Sequence, residues 1–100
     1  MTQSVIHQPR VAWDGARAFV RAATGPRYDA FAGQVISRLG AELYTHLADS
    51  RERILTAAAS GGDRHTTDTE LGKWRVRLDD LLRTRPELTE VIRDLTAFVH

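Results

Sequence analysis

The sequence predicts an all-α protein, a small bundle of four helices, or five if the longest one breaks. Apolar residues recur at helical spacing almost from end to end, Gly and Pro fall between those runs, and no stretch of useful length shows strand-like alternation. The expected architecture is a long central helical hairpin with a short C-terminal helix crossing its end.

The elements follow in order. Residues 1 to 10 show no period and contain Pro9, so they read as a flexible lead-in to a single domain over 11–100. From Val11 to Thr24, Trp13, Ala16, Val20 and Ala23 form a helical stripe widened by Ala12 and Phe19. Gly25-Pro26 ends that helix. The longest pattern comes next: Phe31, Val35, Leu39, Leu43 and Leu47 recur every four residues, flanked by Tyr28, Ala32 and Ile36, and Ile54, Leu55 and Ala58 extend it to Gly61-Gly62. It reads as one helix from about 28 to 59, or as two broken near Gly40 or Asp49-Ser50. Gly33 and Gly40, seven apart on one face, suggest close approach of a neighbouring helix or a hinge. The stretch SGGDRHTTDTE reads as a loop, with Thr67 and Glu70 at capping-box spacing before the next helix. That helix carries Leu71, Trp74, Leu78, Leu81 and Leu82 at near-heptad spacing, as in a seam packed on another helix. Pro86 lacks an N–H and disfavours helical geometry at Arg85, so the helix ends there. Thr84 and Glu87 offer a second capping box, and Leu88, Val91, Ile92, Leu95, Phe98 and Val99 form the final apolar face.

Composition narrows the function. The chain has 100 residues and no cysteine, which removes disulfides and thiolate metal sites. Its formal charge of +1 gives no global attraction to nucleic acid or anionic membrane. No apolar run is long enough for a membrane span, MTQSVIHQPR lacks a signal-peptide core, and a cytoplasmic address is the default expectation.

Chemistry-bearing residue types do not converge. His46, Asp49 and Ser50 are triad types on one helical turn, where their side chains point outward together; a solvated helix face is the expected reading. His7, His46, His65 and His100 show no paired ligand spacing, so no metal or cofactor is expected. Asp79 and Asp80 diverge on their helix and suit pairing with Arg83. Neither a catalytic residue nor a phosphate cradle is expected, since Gly61-Gly62 has no preceding strand and no following Lys-Ser/Thr.

Two functional readings remain. The first is a non-catalytic protein–protein interaction module that docks on a partner or on itself as a homo-oligomer. Its candidate contact residues are Trp13, Phe19, Trp74, Leu78 and Leu82, whose alternative role is core packing. The second is a small nucleic-acid-binding regulator using Arg10, Arg17 and Arg21, which share one side of the first helix. Residues 1–40 hold five Arg against two acids, a balance of +3, whereas 41–100 balance at −2. KWRVRL is a poor DNA reader because Asp79-Asp80 follow it closely.

KWRVRLDDLLRTRPELTEVIRDL resembles a pattern in short actinobacterial helical proteins, where a Trp-Arg helix ends in a Leu-Leu pair before a Pro-initiated helix. The Trp-containing AWDGARAFV, the long charged helix and the Gly-containing loop are similar too, so the resemblance spans roughly residues 11 to 98. Such proteins are mostly of unknown function, and some look like effector-associated adaptor domains of bacterial conflict systems. The resemblance implies an adaptor that recruits partners through like-with-like contacts, and it supplies no catalytic residues.

Overall fold

The computed structural model describes residues 8–99. Among these, helices α1 (Gln8–Ala23), α2 (Tyr28–Leu39), α3 (Ala41–Ala59), α4 (Asp63–Thr84) and α5 (Thr89–Val99) follow in order, with a 3-10 turn over Pro86–Leu88 before α5. The lead-in expected over 1–10 needs correcting at its end. Gln8, Pro9 and Arg10 belong to α1, because Pro is tolerated in a first helical turn, whose N–H groups have no intrahelical partner. The remainder of that segment lies outside the described residues.

The long pattern resolves into two helices, α2 and α3, which pack on each other. Gly40 makes the break, with φ 105° and ψ 172°, a backbone region essentially reserved for glycine. Its N–H closes α2 on the Val35 carbonyl at 3.1 Å, and its own carbonyl accepts from Tyr44 N–H at 3.3 Å to start α3. Helix α1 packs against all four other helices. It can do so because its buried positions are mostly small: Ala12, Ala16, Ala18, Ala22 and Ala23, with Phe19 as the one large insert. The close approach expected at Gly33 and Gly40 occurs instead at Gly15. A Cβ there would lie 2.8 Å from Ile92 Cγ2 and 3.0 Å from Leu78 Cδ1, whereas a Cβ at Gly33 or Gly40 meets nothing within 4 Å.

The core runs along α1. Phe31 and Val35 come from α2, Leu43, Leu47 and Ile54 from α3, Trp74, Leu78 and Leu82 from α4, and Ile92 and Leu95 from α5. Phe19 stands edge-on to Phe31 with ring centres 5.0 Å apart, and its ring centre is 4.6 Å from that of Trp74. The bundle is elongated, with extents of 52 × 25 × 23 Å. Ile36 and Leu55, assigned to the apolar stripe by spacing, are instead exposed: each follows directly on a buried stripe residue, Val35 and Ile54, and is turned about 100° from it around its helix.

The loop expected over SGGDRHTTDTE shrinks to Ser60–Gly62. Gly61, at φ 81°, ends α3 in a Schellman arrangement: Gly62 N–H donates to Ala57 O at 3.0 Å and Gly61 N–H to Ala58 O at 3.1 Å. Helix α4 begins directly afterwards, so Thr67 lies inside it and caps nothing. Tertiary anchoring overrides the loop-like composition here, since Glu70 is buried on this stretch and hydrogen-bonded to α3. At the other end α4 stops where Pro86 requires, with Arg85 N–H donating to Leu81 O. The expected capping box at Thr84 does not form: its hydroxyl donates back to Asp80 O and Leu81 O. The 3-10 turn intervenes, Thr89 Oγ1 donates to Pro86 O at 2.7 Å, and Glu87 pairs with Arg85.

Candidate interaction surface

Four of the five apolar candidates lie in the core. Phe19, Trp74, Leu78 and Leu82 have no exposed surface, so a partner cannot touch them without opening the bundle. The near-heptad seam of α4 is real, but its packing partner is α1 of the same chain. Trp13 differs. It is partly exposed on α1, with Arg17 against its ring and Arg10 lining the same hollow.

Arg10, Trp13, Asp14, Arg17 and Arg21 recur at three- and four-residue spacing and therefore share one side of α1. The Arg17 guanidinium carbon lies 5.0 Å from the Trp13 ring centre, and that of Arg75, from α4, lies 5.6 Å away. Cation–π attraction of this kind orients a guanidinium without consuming its N–H donors. Arg10, Arg17, Arg21 and Arg75 are exposed, and none forms an ion pair among the described residues. Most other cations are engaged. Arg38 pairs with Asp94 at 3.1 Å, Arg53 and Lys73 with Glu70, Arg83 with Asp80 as expected, and Arg93 with Glu90. Arg51 donates to Ala23 O at 2.8 Å, at the C-terminal end of α1, where a cation is electrostatically favoured.

Two hollows flank this row. One, of about 610 Å³, is lined by Pro9, Arg10, Trp13 and Arg75. The other, of about 770 Å³, has Val20, Ile54 and Leu71 among its lining and Asp14, Arg17 and Arg21 at its polar side. Arg17 joins them, since it lines the second and its guanidinium rests by the ring that lines the first. KWRVRL carries Arg75, but nothing in its spacing points to a tryptophan on another helix. Only the packing of α4 on α1 brings it to Trp13.

The triad-type residues on α3 separate. Ser50 is buried, not on a solvated face; Asp49 is exposed, and His46 stands edge-on to the Trp74 ring. Ser50 belongs to a polar chain inside the core. Trp74 Nε1–H donates to Ser50 Oγ at 2.8 Å, and Ser50 Oγ–H donates to Glu70 Oε1 at 2.6 Å. Lys73 Nζ, at 3.4 Å, and Arg53, at 3.5 Å, flank the same carboxylate. Burial alone pushes the Glu70 carboxyl up, but the Ser50 hydrogen bond and the charges of Lys73 and Arg53 outweigh it and hold it below the usual carboxylate value. Glu70 appeared in the sequence only as a possible cap. A buried role has no periodic signal when the residue is charged and the surrounding stretch is polar.

Among the described residues no group of three or more His, Cys, Asp or Glu side chains could hold a metal ion, and no helix is long and apolar enough to cross a membrane. Comparison with protein-family models, curated proteins and solved structures finds no match.

Proposed function

We propose that this protein is a non-catalytic protein–protein interaction module whose contact surface is the Trp13 side of α1 together with Arg75 of α4. One observation carries the reading: the ring of a partly exposed Trp is flanked by two exposed arginines, Arg17 and Arg75, that form no ion pair among the described residues. Trp and Arg are the residues that most often dominate binding energy at protein interfaces. The candidate surface of the sequence reading thus contracts to Trp13 and shifts away from the α4 seam.

Light scattering behind a sizing column, over a range of concentrations, tests the self-associating form. That form gives a discrete oligomer, reduced to monomer by Trp13→Ala with Arg17→Glu. An oligomer unchanged by the pair places the interface elsewhere. A monomer at every concentration leaves a heterologous partner.

A second reading, a nucleic-acid-binding regulator, draws support from the shared exposure of Arg10, Arg17 and Arg21. It requires binding that weakens steeply with salt. No binding to an oligonucleotide at low salt removes it.

A further inference from the structure

Resting on the interaction surface assigned above, we infer that its occupant is an acidic amphipathic segment of a partner protein, carboxylates alternating with apolar side chains. Three features point to this chemistry. The first is charge: Arg10, Arg17, Arg21 and Arg75 present guanidinium forks without an ion pair among the described residues, and such forks match carboxylates in bidentate geometry. The second is the apolar lining. In the hollow beside Arg17, half-buried Leu71 and the small exposed edges of the core residues Val20 and Ile54 offer contact for apolar side chains, which a phosphodiester backbone does not carry. The third is Asp14, which sits amid the row and lines the same hollow. It would repel a continuous run of phosphates, whereas a peptide can turn a backbone N–H or a hydroxyl toward it.

The size is consistent with a short segment. Arg10 to Arg21 spans eleven helical steps, about 16 Å along α1. That length accommodates about five residues of extended chain or about eleven of helix.

The test is fluorescence anisotropy on the full chain with three labelled probes of equal length: a peptide alternating Glu and Leu, an all-Glu peptide, and oligo-dT. The alternating peptide is expected to bind about tenfold tighter than either other probe, and Arg17→Glu to weaken it at least about tenfold. Arg93→Glu, in an exposed pair with Glu90 and lining neither hollow, leaves it unchanged. If oligo-dT or all-Glu binds as well or better, and Arg17→Glu abolishes that binding, the surface stands and the amphipathic partner is overturned. If no probe shows binding that depends on Arg17, this proposal falls, and if light scattering also shows no oligomer that depends on Trp13 and Arg17, the surface on which it rests falls with it. Circular dichroism of each variant establishes that it is folded.

Discussion

Glu70 shows most clearly what one residue contributes to this fold. A carboxylate with only 2% of its side chain exposed would be costly alone. Ser50, Lys73 and Arg53 surround it, and through Ser50 it also fixes the indole N–H of Trp74. Ser50→Ala is therefore expected to cost about 1–3 kcal/mol in urea unfolding, because it strands a buried N–H and weakens the carboxylate's environment. The pH dependence has a definite sign. The folded-state pKa of Glu70 is lowered, so its stabilisation is fully present above the unfolded carboxylate value of about 4.3 and is lost as pH falls through the folded value. Glu70→Gln should flatten that part of the acid-unfolding curve, measured by circular dichroism across the acid range. A variant curve parallel to wild type would show that Glu70 is not the group responsible. Helical periodicity placed Trp74 correctly on an apolar stripe, but neither Ser50 nor Glu70 could be read as core, since their burial depends on a hydrogen-bonded partner on another helix.

At the scale of elements, glycine decides where helices stop. Gly40 holds a conformation that a Cβ makes costly, whereas Gly33 lies in an exposed helix interior with open space around its missing Cβ. Gly40→Ala is expected to destabilise by about 1–3 kcal/mol, and Gly33→Ala to stabilise by about 0.5–1 kcal/mol. Thermal melts of the two variants check both signs at once. A stabilised Gly40→Ala protein would mean that α2 and α3 can fuse. The sequence named Gly40 as one possible break, but its periodicity could not choose between a continuous helix and two, because Phe31, Val35, Leu43 and Leu47 keep their spacing across the corner. The Pro86 corner was legible because a missing N–H is a local fact. The start of α4 was not, because Asp63 to Glu70 has the composition of a loop and is held helical by packing that no local pattern displays.

Across the whole molecule, one central helix divides the side chains into two populations. Its small residues admit α4 and α5 closely, and its outer side carries Trp13 with the arginines. The sequence identified both tryptophans and the Arg10, Arg17, Arg21 row. It could not tell which tryptophan was inside, since each sits on the apolar stripe of its own helix and only the docking of α4 on α1 buries one and leaves the other partly open. The account rests on that division. The measurement that tests it most directly is urea unfolding of Trp13→Ala beside Trp74→Ala. Trp74→Ala is expected to lose about 3–5 kcal/mol, as for a large core aromatic, and Trp13→Ala to lose less than about 1 kcal/mol, as for a surface position. Equal and large losses would make Trp13 a structural residue and remove the surface around it as the place where a partner binds.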